Sequence, residues 1–129
     1  MILLNAQNHY LLAHLVSTGT QSSSLVHPRE VLGPALREGA SALILIHNHP
    51  SGEATPSRED TRLTRQLVEA AQLMDLRIHD HVIVGNGSHA WVSLAACGLG
   101  VRRWGNGDEE TVTRVGQVSR LRRRSPRQP

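Results

Sequence analysis

Apolar and polar positions follow different rhythms along this chain, and each rhythm predicts a different kind of element. Residues 1–4 and 9–17 are apolar stretches separated by the turn-forming Asn5, Ala6, Gln7 and Asn8, so they read as a hairpin. Gly19, Thr20 and the polar residues 21–24 break that pattern. Pro28 suits a first helical turn, and Val31, Leu32, Ala35 and Leu36 then recur at helical spacing until Gly39 closes the segment. Residues 42–46 form the most apolar short run and read as a buried strand. Leu63, Leu67, Ala70, Ala71 and Met74 make an apolar stripe, with Arg62, Arg65, Gln66 and Glu69 turned to solvent, which predicts a long helix from Ser57 to about residue 75. Residues 78–84 read as a strand, 85–88 as a tight turn, 89–93 as its hairpin partner, and 94–97 as a helical turn ended by Gly98. Strands mixed with helices and hairpins predict an α/β (α+β) fold, a mixed β-sheet flanked by helices.

The junction between the apolar run and the long helix carries the candidate chemistry. Alternate strand residues share a face, so His47 and His49 aim at one side while Asn48 faces away, and Pro50 stops the ladder. The loop 51–56 returns the chain, and Ser57 stands as N-cap with Asp60 three residues later. Two imidazoles and a carboxylate make a three-ligand set with a fourth tetrahedral position left for water, the pattern of catalytic zinc; iron and manganese also accept such donors. Each half also has a plain reading. A His-x-His at a strand end is commonly polar surface, and Ser-x-x-Asp is a common helix start.

Together the halves read H-x-H-x7-S-x-x-D, the zinc signature of the JAMM (MPN) metallopeptidase domain. With the flanking words at 27–31, 47–52, 55–60 and 80–85, the chain resembles the RadC family, a bacterial JAMM-type branch long labelled as DNA repair, over about residues 3–100. The resemblance implies an MPN/JAMM core of cytidine-deaminase-like type, Zn2+ on His47, His49 and Asp60, and hydrolysis of a peptide or isopeptide bond by zinc-activated water. It assigns Ser57 to oxyanion stabilisation, although a pure N-cap role accounts for that residue equally well. Asp80 and His81 border the site in this family; they read either as supports that orient a ligand imidazole or as a buried hydrogen-bonded pair. RadC-type chains usually carry another strand and a helical segment upstream, so the first strand here is expected to be an exposed edge, open to pairing with a second copy in a homodimer.

One position departs from the family. Its general base is a glutamate about five residues before a Gly-Thr pair, and here Gly19 and Thr20 place His14 in that slot. Three arrangements follow: His14 as the base, His14 as a fourth metal ligand that closes the site, or Glu53 as the base from the loop. The alternative to a hydrolase is a zinc-binding scaffold associated with DNA or its repair. Glu30 reads as a helix cap, and His9, His27, His79 and His89 as surface or turn residues.

Composition narrows the setting. The chain of 129 residues suits one domain, and with 39% hydrophobic residues but no Phe its core must be aliphatic. The lone Cys97 excludes an intramolecular disulfide and a thiolate zinc cluster and fits a cytoplasmic protein. No run approaches a membrane span. Residues 1–100 hold six Arg against eight acidic residues, net −2, whereas 101–129 hold eight Arg against three, net +5, giving the overall +3. The chain therefore divides into a domain at 1–100 and a basic tail at 101–129, expected to be disordered and to make nonspecific nucleic-acid contacts through its arginines.

Overall fold

The computed structural model describes residues 1–17, 26–99 and 101. The expected break at Gly19 and Thr20 lies outside those residues, as does the basic tail apart from the buried Val101. The elements run β1 (Ile2–Leu4), β2 (Tyr10–Ala13), α1 (Pro28–Arg37), β3 (Ala42–His49), α2 (Arg58–Leu73), β4 (Arg77–Gly85) and β5 (Trp91–Ser93). They form one mixed sheet in the order β2-β1-β3-β4-β5, an α+β arrangement. β3 and β4 are parallel, and the others pair antiparallel. Parallel neighbours need a long crossover, which α2 supplies with 16 residues. No helix among the described residues is long and apolar enough to cross a membrane.

The edge expected at the first strand is displaced by one position. Ile2 pairs with Ala13 on one side and with Ile44 on the other, so β1 is internal and β2 is the edge. The hairpin folds its second arm outward, leaving Tyr10 and Leu11 exposed.

Both helices lie on one face of the sheet. Val31, Leu32 and Ala35 of α1 and Leu67 and Ala71 of α2 pack with Leu3, Leu43 and Leu45 into an aliphatic core. Alternation then explains why the 42–46 run is not buried throughout: Leu43 and Leu45 face the helices, whereas Ile46 on the other face is 48% exposed. Leu36 and Met74 also leave the apolar stripes expected of them and stand half-exposed. Met74 follows the last helical residue as the C-cap, where the helical rotation no longer carries it to the core. In α1, Pro28 occupies the first turn and Glu30 accepts the His27 amide proton at 3.3 Å, so Glu30 caps its helix.

β3 extends three residues beyond the apolar run. His47 and His49 are thus the last helix-facing positions of the strand, as the alternation predicts. Ladder pairing with Ile83 and Gly85 of β4 holds them there. The loop that follows is pinned against the same strand: Ser88 donates to the Gly52 carbonyl at 2.7 Å, and the Asn86 amide donates to the His49 carbonyl at 2.9 Å. A Cβ on Gly85 would collide with the Gly52 carbonyl, so glycine permits this close approach.

Candidate metal centre

Strand alternation brings His47 and His49 to the helix-bearing face, and the capping box of α2 brings Asp60 beneath them. Ser57 Oγ accepts the Asp60 amide at 3.0 Å, and Asp60 Oδ2 accepts the Ser57 amide at 2.8 Å. The same carboxylate meets both imidazoles, with His47 Nδ1 3.3 Å from Oδ1 and His49 Nε2 3.1 Å from Oδ2. Capping and ligand-like geometry therefore coexist in one residue. One donor atom from each of the three side chains lies within 4.8 Å of the others, a cluster that could hold a metal ion.

The donor set suits that role. His49 Nδ1–H donates to the Glu53 carbonyl at 3.0 Å, which fixes the tautomer and leaves the Nε2 lone pair aimed into the cluster. Two imidazole nitrogens and a carboxylate oxygen, without thiolate, suit a metal that takes nitrogen and oxygen donors, as zinc, iron and manganese do. The Asp60 side chain is 9% exposed and that of His47 is 43% exposed, so the cluster is floored by Asp60 and open beside His47.

Charge follows from this placement. Burial alone would raise the Asp60 carboxyl, but the Ser57 hydrogen bonds and the two imidazoles bring it below the ordinary carboxylate range. Burial lowers His47; Asp60 opposes the shift and His49 adds to it. Both groups are thus biased toward the deprotonated forms that bind metal.

Behind His47 lies His81, one of the two residues expected to border the site, and with it Thr64, which the sequence reading missed. The His81 ring stacks on His47, with centroids 5.9 Å apart and planes at 27°. Thr64, fully buried, donates its hydroxyl proton to the Asp60 carbonyl at 2.6 Å. Its oxygen therefore accepts from His81 Nδ1–H at 2.6 Å, which fixes that ring as well. One signal was available: Thr64 lies one turn after Asp60 and three residues before Leu67, a polar residue on the buried stripe of the helix. Asp80 does not orient a ligand imidazole. Its carboxylate accepts the His81 and Ala95 amides at 2.7 and 3.0 Å and the Ser93 hydroxyl at 2.6 Å, tying β4 to β5 and the turn after it.

His14 stands apart from the three-residue cluster. Reciprocal backbone bonds to Met1 at 2.7 and 2.8 Å continue the ladder past β2. Leu12 pairs with Leu3, which pairs with Leu43. By alternation His14 therefore shares the face of His47 and His49, two strands away from them. Glu53 lies in the loop with its carbonyl committed to His49 and its side chain exposed. His79 bonds Asn8 at 2.7 Å, while His9, His27 and His89 are exposed.

Burial, reinforced by His47, lowers His81 from an ordinary 6.5 to about 4. A base with a depressed folded pKa keeps its full stabilising contribution above the unfolded value and loses it as pH falls through the folded one. Metal-free protein should therefore lose about 3 kcal/mol from this group between pH 6.5 and about 4, and His47 shifts in the same direction. Denaturant unfolding in chelator across that range checks it; a flat profile would contradict a neutral buried His81.

The mixed sheet, with a His-x-His at the end of a central strand and an aspartate in the first turn of the crossover helix, defines an α+β domain of JAB type. The chain belongs to the RadC family: the model of the RadC-like JAB domain matches residues 1–99. Among its relatives, UPF0758 protein STH371 of Symbiobacterium thermophilum is 52% identical over 89 residues, covering 69% of this chain and 38% of that protein. UPF0758 protein GSU0386 of Geobacter sulfurreducens is 47% identical over 98 residues, covering 76% and 42% respectively. A UPF0758 protein of Rubrobacter xylanophilus is 51% identical over 87 residues, covering 67% and 38%. The chain thus spans about two fifths of the length of these relatives.

Proposed function

We propose that the domain is a zinc-dependent hydrolase of an amide bond in a peptide or isopeptide. The observation that carries this reading is the convergence of His47, His49 and Asp60 within 4.8 Å, open on the His47 side. Bound there, zinc supplies Lewis acidity that polarises a carbonyl and acidifies water.

The chain's own residues do the rest. Asp60 holds both imidazoles while it caps α2, and the Thr64–His81 pair stiffens the back of His47. The Ser57 hydroxyl accepts the Asp60 amide, which holds it at the start of α2 beside the cluster. From there its proton donates to the carbonyl oxygen that gains charge in the transition state. His14, on the same face, stands where the family resemblance places the general base.

The test is hydrolysis of a quenched-fluorescence library of peptides and isopeptides. Turnover should vanish with chelator, return with added zinc, and fall ~10²-fold or more in Ser57→Ala, the range for one oxyanion donor. Turnover indifferent to chelator would contradict the reading.

A further inference from the structure

Half of the arginines in residues 1–100 stand on one stripe of α2. Arg58, Arg62 and Arg65 are spaced i, i+4 and i+7, all are exposed, and with Thr61, Gln66 and Glu69 they line a shallow depression on the outer surface of the helix. Among the described residues none of the three guanidinium groups has an ion-pair or hydrogen-bond partner. Like charges one turn apart repel each other and weaken a helix, so an anion bound along the stripe would relieve that repulsion.

The shape of the charge selects the anion. Seven residues of helix rise about 10 Å, the length of about three residues of extended peptide. Glu59 beside Arg58 and Glu69 at the far end limit the stripe to three arginines, a length that suits a short anionic segment rather than a long phosphate backbone running past it. The rest of residues 1–100 is acidic on balance, so the positive charge is local rather than a broad nucleic-acid footprint. Thr61 and Gln66 add side chains that can bond peptide amides.

We propose that this stripe docks a short acidic segment of polypeptide, presenting two or three Asp or Glu side chains to Arg58, Arg62 and Arg65. Asp60 points to the sheet and the stripe points away from it, so the docking site is separate from the metal cluster. That the docked segment belongs to the amide substrate rests on the hydrolase reading; the docking itself does not.

The test is fluorescence anisotropy of labelled hexaglutamate with the full chain at low salt. Arg58→Gln, Arg62→Gln and Arg65→Gln combined should weaken binding about tenfold, the sum of three modest surface ion pairs. Arg122→Gln, Arg123→Gln and Arg124→Gln, an equal loss of charge in the tail, should change it less than about twofold by the same measure. Equal losses in the two variants would overturn the proposal. So would a single-stranded oligonucleotide that loses more affinity than hexaglutamate in the α2 variant, which would make the stripe a nucleic-acid face. Amide shifts in labelled wild type supply a readout independent of the variants' folding: hexaglutamate should move Thr61 and Gln66, and their silence would overturn the docking site. His49→Ala should bind hexaglutamate as the wild type does. Intact docking beside absent chelator-sensitive hydrolysis would remove the hydrolase reading and leave the docking site standing.

Discussion

His14→Glu is expected to raise metal-dependent hydrolysis by ~10²-fold to 10⁴-fold, the span typical of general acid–base catalysis. The reason is positional. The ladder that continues through Met1 puts residue 14 on the face of His47 and His49, where the family resemblance expects a glutamate. A carboxylate there is a permanent acceptor at neutral pH, and on accepting a proton it can deliver it to the departing amine. His14→Gln provides the control, since it matches glutamate in size without its basicity and should give no gain. The measurement is kcat for both variants on the same zinc-loaded preparation and one peptide substrate. A His14→Glu protein less active than the wild type would mean that the imidazole is already the better base.

Much of the candidate centre was legible because its geometry is local. Strand alternation alone aims His47 and His49 together, and a capping box alone turns Asp60 back toward the start of its helix. Neither inference needs the rest of the fold. The α+β class and the span of α2 were readable for a similar reason, since an apolar stripe with 3.6-residue period carries its own signature. What escaped depends on which surfaces meet. The order of β2, β1 and β3 turns on which arm of the hairpin finds β3, and the sequence of each arm suits either position. The exposure of Ile46 follows from both helices packing on one face, a fact about the whole sheet. Thr64 and His81 lie 17 residues apart, and only the parallel docking of β4 beside β3 brings them to 2.6 Å. The two readings of Asp80 stayed open in the sequence because its partners, Ser93 and the Ala95 amide, come from a later turn.

Removing any one of the three donors should have the largest effect of all on metal binding. Loss of a residue that merely orients a metal ligand typically costs ~10-fold to 100-fold in affinity, so loss of a ligand itself should cost more. Asp60 separates two roles that a single alanine would confound. Asp60→Ala removes a ligand and also the acceptor of the Ser57 amide, so about 1 kcal/mol of helix capping should go with the metal. Asp60→Asn keeps a carbonyl oxygen for that amide while withdrawing the charge, so it should preserve thermal stability better than it preserves zinc affinity. His47→Ala and His49→Ala leave the capping box untouched and should lose metal alone. The decisive measurement is zinc content after equilibrium dialysis, determined by elemental analysis. The wild type should retain about one ion per chain and His47→Ala, His49→Ala and Asp60→Ala close to none; undiminished zinc in all three variants would contradict the assignment of the site.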